Sequence, residues 1–288
     1  ACPGGSFPGV SKTAATEARR NDAAVDAVAR SIEQFGFRQP IVVDAAGVII
    51  VGHTRWKAAK KLGLEYLAIT EHSRYLTVAH GLDPLQLAKQ CDEIERLNAQ
   101  LDGITLLKGI EVDILEDGSL DLPDSVLRRL DLVIGSVHSR FQLSPEQQTT
   151  RILRAMDHRY FSILGHPSGR LIGERDPYAV DLAAVVRQAA ERGCFLELNA
   201  HPDRLDLLDV HCQMARDAGV LVAINSDAHG VGDFDSLVYG VGQARRGWLE
   251  KADVINARPL REVRAGGTPL KTRDLVTFDN GAPDGGLQ

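Results

Sequence analysis

The sequence predicts an α/β fold in two parts: a long series of β-α units from residue 63 onward, and a small basic α/β segment ahead of it. Three observations predict this. From residue 63 to about 264, apolar runs of strand length alternate with stretches of helical period. Gly and Pro mark the joints between them. Charge is divided unevenly, since residues 1–62 carry nine Lys and Arg against five Asp and Glu, and residues 63–288 carry 24 against 34. The net charge of −6 therefore hides a +4 segment and a −10 segment, as expected for two joined modules.

Composition narrows the class. In 288 residues, 44% are hydrophobic and 25% charged, which fits a globular protein and excludes wholesale disorder, collagen and a disulfide scaffold. The four cysteines, at 2, 91, 194 and 212, form no CxxC pair, so a reducing, cytoplasmic setting is expected. No apolar run approaches the roughly 18 residues of a membrane helix, and no membrane partner is expected. The opening Ala1-Cys2-Pro3-Gly4-Gly5 lacks both a Met and a signal pattern, which reads as a fragment or a processed product.

Residues 1–19 are rich in small residues, Gly and Pro, and read as a flexible leader. Val25, Val28, Ala29, Ile32 and Phe35 keep helical spacing, Asn21 or Asp22 can cap that helix, and Gly36 ends it. Residues 40–44 and 48–51 read as two strands around Ala45-Ala46-Gly47. Gly52-His53-Thr54-Arg55 then opens a short basic helix at 56–62. Beyond it, strands are expected at 66–70, 106–113, 130–137, 161–164, 195–199, 220–225 and 254–255, with helices at 84–101, 144–156, 181–192 and 207–218. Repeated β-α units imply parallel strands with helices outside. Six or seven of them favour a closed barrel over an open sheet without deciding between the two. The tail at 265–288 reads as flexible.

The chemistry stands at the strand ends. Successive strands run into Glu71-His72, Glu111, His138, His166, His201 and Asp227-Ala228-His229. In a β/α barrel the C-terminal strand ends converge on one face, so separate strands bring such side chains together. Imidazole suits Zn²⁺, Mn²⁺ or Fe²⁺, and a carboxylate can bridge two metals about 3.5–4 Å apart, an arrangement used on phosphate esters. His80, His158 and His211 lie in loops or helices and read as ordinary histidines, while His201 stays ambiguous.

Six stretches carry a family resemblance: Ile69-Thr70-Glu71-His72-Ser73, Lys108-Gly109-Ile110-Glu111-Val112-Asp113-Ile114, Ser136-Val137-His138-Ser139-Arg140-Phe141, Gly165-His166-Pro167-Ser168-Gly169-Arg170, Asn225-Ser226-Asp227-Ala228-His229 and Ala244-Arg245-Arg246-Gly247-Trp248-Leu249. Through them residues 63–264 closely resemble the PHP (polymerase and histidinol phosphatase) domain at the C-terminus of bacterial family X DNA polymerases. The resemblance implies a distorted (β/α)₇ barrel with one to three Mn²⁺, Zn²⁺ or Fe²⁺ ions, hydrolysing phosphoesters as a 3′–5′ exonuclease or a phosphatase. It implies His72, Glu111, His138, His166, Asp227 and His229 as metal ligands, with Glu111, His138, Asp227 and His229 as the catalytic set. It places Arg140 and Arg170 where a phosphate is gripped. The family's first strand bears a His-x-His pair that this sequence does not show, so that strand is missing or replaced. One metal position is then matched in full by Glu111, His138 and His166. A second keeps His72 and His229, and a third keeps Glu111 and Asp227.

Residues 20–62, with Gly63 and Leu64, resemble the N-terminal domain of ParB-like proteins through Ser31-Ile32-Glu33-Gln34-Phe35-Gly36-Phe37-Arg38-Gln39-Pro40-Ile41-Val42-Val43 and Gly52-His53-Thr54-Arg55-Trp56-Lys57-Ala58-Ala59-Lys60-Lys61-Leu62-Gly63. In that family the Gly-x-x-Arg turn binds phosphate or nucleotide, which makes Arg55 a further candidate, and free N–H groups at a helix start favour an anion. The strand 48–51 with His53 is a candidate to replace the missing barrel strand. The function expected is a metal-dependent phosphoesterase acting on DNA or nucleotides. The alternatives are a non-catalytic DNA- or nucleotide-binding protein with a degenerate barrel, and a truncated or chimeric gene product.

Overall fold

Strands rich in Val, Ile and Leu and buried on both faces can lie side by side only if helices cover them, and that demand organises this chain. The computed structural model describes residues 42–43 and 49–51 as backbone, and residues 65–75, 81–228 and 235–265. The expected helix at 25–35, the turn at 52–55 with His53 and Arg55, the basic helix at 56–62, His80, His229 and the tail from 266 lie outside the described residues.

Strand β1 (Val42–Val43) pairs antiparallel with β2 (Ile49–Val51), Val42 facing Val51, as the two expected strands around Ala45-Ala46-Gly47 require. The main sheet holds β3 (Tyr66–Ile69), β4 (Thr105–Asp113), β5 (Leu132–Ser136), β6 (Ile163–Leu164), β7 (Phe195–Asn199) and β8 (Val222–Asn225). All neighbours are parallel and the order in space is the order in sequence. Six strands wound in one direction curl into a half-barrel alternating with helices, in keeping with the PHP-type barrel expected. Strands β5 and β7 are buried at every position, and in β7 this includes the polar Glu197 and Asn199.

The covering helices are α1 (Pro84–Asn98), α2 (Asp124–Leu127), α3 (Pro145–Met156), α4 (Leu182–Arg192), α5 (Asp209–Asp217), α6 (Leu237–Arg246) and α7 (Leu260–Ala265). Their ends are set locally. Asp83 and Ser144 each close a capping box, with Gln86 and Gln147, ahead of a Pro that needs no N–H partner. Asp181 caps α4, and Gly193, at φ 64°, ends it in the left-handed conformation. The core lies between the sheet and these helices, through Ile110, Val112, Ile152, Leu164, Leu196 and Leu198. Arg151 is buried there and donates to the carbonyls of Leu115, Ser139 and Ile114, which ties α3 to the loops after β4 and β5.

Two readings change. Residues 254–255 form no strand: Val254 makes a single bridge to Val222, and Ile255–Ala257 turn as a 3₁₀ helix. The helix expected at 207–218 starts at Asp209, because Asp206 and Leu207 are spent on the loop after β7.

Candidate metal centre

Because all six strands point the same way, their C-terminal ends deliver side chains to one face. Glu111 lies two residues before the end of β4, and His72, His138, His166 and Asp227 follow β3, β5, β6 and β8 within two or three residues. His72 is laid beside Glu111 by a parallel bridge that continues the β3–β4 pairing.

Glu111, 9% exposed, sits among three imidazoles. Its Oε2 lies 3.3 Å from His72 Nδ1, and its Oε1 lies 3.4 Å from His138 Nε2 and 3.1 Å from His166 Nε2. The His138 ring centre is 5.5 Å from that of His72 and 5.1 Å from that of His166. Burial works against a charged Glu111, but hydrogen bonds from His138 and His166, and their charge, outweigh it and hold the carboxyl well below the usual range. His138 is set from behind, its Nδ1 being 3.1 Å from Asp113 Oδ1. Burial alone lowers the His138 pKa, yet Asp113 and Glu111 raise it to about 9.

The β6 end is caged. At Gly165 a Cβ would collide with Ser136 Oγ and crowd Ile134 Cγ2. His166 then turns at φ 26°, its N–H given to Glu197 Oε2 at 2.7 Å. Asp206 Oδ2 accepts from Ser168 N and Gly169 N at 2.9 Å each, and Tyr178 donates to the Pro167 carbonyl. Arg140, His166 and Asp227 all adopt positive φ, at 57°, 26° and 51°. Such backbone costs about 1–3 kcal/mol per residue and gathers at functional sites. Asp227 Oδ2 takes Asn199 Nδ2 at 2.9 Å and lies 3.3 Å from Arg204 Nε.

A profile of the PHP domain family matches residues 54–201, half of the chain. The chain belongs to the PHP domain family. A profile of the ParB N-terminal domain matches residues 12–75. The DNA polymerase/3′-5′ exonuclease PolX of Bacillus subtilis (strain 168) is 44% identical over 209 residues, covering 73% of this chain and 37% of that protein. Probable phosphatases of Thermoanaerobacter sp. (strain X514) and Caldanaerobacter subterraneus subsp. tengcongensis are 31% and 30% identical, over 60% and 63% of this chain and 70% and 72% of their own length. The chain thus spans little more than a third of its polymerase relative.

The PHP half-barrel brings together four of the expected ligands, His72, Glu111, His138 and His166. The ligand atoms of His72, Glu111 and His138 lie within 4.8 Å of one another, close enough for one ion. The donor set fits a divalent transition metal: imidazoles that become ligands on losing a proton, around an anionic carboxylate, with a second carboxylate orienting one ring. Asp227 stands on the same face, held by Asn199, which also reaches Glu197. Arg140 is 59% exposed and pairs with Glu116 at 3.1 Å. Arg170 spends Nε and Nη2 on the carbonyls of Arg204 and Leu205. His229 and Arg55 lie outside the described residues. The His158 side chain pairs with Asp124 and that of His201 with Asp203.

Strand-end reading passed over Asp113, Glu197, Asn199 and Arg204. Three of them had a signal in the sequence. Asp113 follows Glu111 by two and Asn199 follows Glu197 by two, so each pair shares a strand face. Polar residues inside otherwise apolar strands mark a face that is not plain core. Arg204 lies in a loop and left no such signal.

Proposed function

We propose that this chain is a metal-dependent phosphoesterase acting on DNA or nucleotides, as a 3′–5′ exonuclease or a phosphatase, in a reducing cytoplasm. The observation that carries the reading is the convergence of His72, His138 and His166 on the buried Glu111 carboxylate. The kinship with proteins named for exonuclease and phosphatase activity supports the reaction class, and the ParB N-terminal match supports a nucleic-acid or nucleotide substrate. Among the described residues no helix is long and apolar enough to cross a membrane.

A bound divalent metal supplies Lewis acidity toward a phosphoryl oxygen and makes water acidic near neutral pH. The chain's own residues do the rest. Glu111, with Oε2 facing His72 and Oε1 facing His138 and His166, would hold the metal together with those rings. Asp113, a pure acceptor when ionised, fixes the His138 tautomer with the proton on Nδ1 and so presents Nε2 as a ligand. Arg140 beside His138 can exchange Glu116 for a substrate phosphate, and Arg170 keeps Nη1 for the same task. His229, two residues after Asp227 in sequence, or a nearby Asp is the proposed proton carrier.

The test is to load the purified chain with Mn²⁺ and offer p-nitrophenyl phosphate, its bis ester and a 3′-labelled oligonucleotide. Hydrolysis that stops in Glu111→Gln supports the proposal. A metal-free chain that binds DNA with steep salt dependence and cleaves nothing supports the non-catalytic binding reading instead, which the ParB match favours.

A further inference from the structure

Glu197 places a carboxyl group in the middle of β7 with 5% exposure, where its oxygens must find hydrogen-bond partners. Its bonds go to the loops that carry the site. Oε2 accepts from the backbone N–H of His166 at 2.7 Å and from Asn199 Nδ2 at 3.4 Å, and Oε1 accepts from Asn225 Nδ2 at 2.8 Å. Asn225 ends β8, two residues before Asp227. Asn199 is fully buried, and its Nδ2 reaches Asp227 Oδ2 at 2.9 Å. Its own Oδ1 accepts from His201 N at 3.0 Å, which fixes the amide so that Nδ2 faces the two carboxylates. Strand β7 is also the one that pairs with β6 on one side and β8 on the other, Asn199 lying opposite Asn225.

We propose that Glu197 and Asn199 are positioning residues, a bridge across β7 that sets His166 and Asp227 relative to one another. The inference rests on the metal-centre reading above and adds residues outside its ligand set. Both ends of the bridge need holding. His166 and Asp227 are non-glycine residues with left-handed backbone, at φ 26° and 51°, and such conformations persist only where the surroundings over-determine them. The bridge supplies that constraint at a backbone N–H for His166 and at the ligand oxygen itself for Asp227. It also couples them, because Asn199 touches both carboxylates.

The experiment is calorimetric Mn²⁺ titration of the full chain and of Glu197→Ala, Glu197→Gln, Asn199→Ala and the Glu197→Ala/Asn199→Ala pair. A metal-free crystal structure of Glu197→Ala and the unfolding midpoint of each variant accompany it. Glu197→Ala is expected to weaken Mn²⁺ by about 10–100-fold, the usual cost of losing a residue that orients a ligand. Glu197→Gln, which keeps an acceptor for His166 N, should recover most of that loss. Asn199→Ala should weaken binding as well, and the double variant should lose less than the sum of the two. In the crystal, the His166 ring should leave its 3.1 Å contact with Glu111. Unchanged Mn²⁺ affinity in both alanine variants overturns the bridge. So does a loss that only follows a fallen unfolding midpoint and that glutamine does not repair. A wild-type chain that takes up no Mn²⁺ refutes the metal-centre reading by itself. The crystal structure then decides the bridge separately, since an unmoved His166 ring and Asp227 overturn it.

Discussion

On the β4 side of the site Glu111 meets three imidazoles, whereas on the β8 side Asp227 meets a guanidinium and an amide. Both are acidic groups at strand ends, yet their neighbours differ in what they leave for a cation. Imidazoles give up a proton and become ligands, so the Glu111 cluster turns into a metal site by deprotonation alone. A guanidinium holds its proton at any ordinary pH and offers no lone pair. An ion at Asp227 must therefore share that carboxylate with Arg204 or displace it. Among the described residues Glu111 is paired with imidazoles and Asp227 with a guanidinium.

That contrast can be broken most sharply at Glu111. Glu111→Gln removes the anion that all three rings face, and Mn²⁺ retention after dialysis, with phosphoester turnover, should fall more than about 100-fold, beyond the cost of losing an orienting residue. Retention at wild-type level would move the metal centre elsewhere.

Next in size is Asp113. Asp113→Ala should weaken Mn²⁺ about 10–100-fold, while Asp113→Asn, which keeps an acceptor for His138 Nδ1, should lose less. Equal losses in the two would mean that Asp113 acts through its charge and not by fixing the ring.

A pH series sharpens the comparison further. The folded-state pKa of His138 is raised to about 9 from 6.5. A raised histidine stabilises the fold fully below its unfolded value and loses that contribution as pH climbs through the folded one. Glu197, driven up to about 8 by burial and then by Asp227 and Glu111, acts in the same direction from 4.5 upward. The unfolding midpoint of the metal-free chain should therefore drop between pH 6.5 and 9, while Mn²⁺ affinity rises over that window because the ligand proton is leaving. A flat midpoint would contradict the raised His138.

The smallest effect is expected on the other side. Arg204→Gln removes the guanidinium beside Asp227 and should tighten Mn²⁺ there by roughly two- to fivefold, the weight of a modest ion pair. Weaker binding instead would show that Arg204 supports the ion.

Much of this was legible in the residues. The alternation of apolar runs and helical stretches gave the parallel sheet because burial on both faces leaves strands no polar alternation. The caps at Asp83, Ser144 and Asp181 were placed by chemistry local to a few residues. His72, Glu111, His138 and His166 were readable because a strand end is a position known along the chain, and parallel strands make strand ends neighbours. Asp227 was readable by the same rule as belonging to that face, but not its pairing with Arg204, which comes from a loop 23 residues earlier whose path depends on packing. Arg140 and Arg170 show the same limit. Their types suit phosphate, yet Arg140 faces Glu116 and Arg170 clasps backbone carbonyls.

By itself the sequence determined the six strands of the main sheet, their order and the side chains presented at their ends, since these depend on residue period. Only the tertiary structure decided which carboxylate the three imidazoles share, that Asp113 stands behind His138, and that Glu197 and Asn199 span β7 between His166 and Asp227. Those are contacts between groups 25 to 55 residues apart. They are fixed by sheet register and by the need to satisfy buried charge, and neither is written in any one stretch of chain.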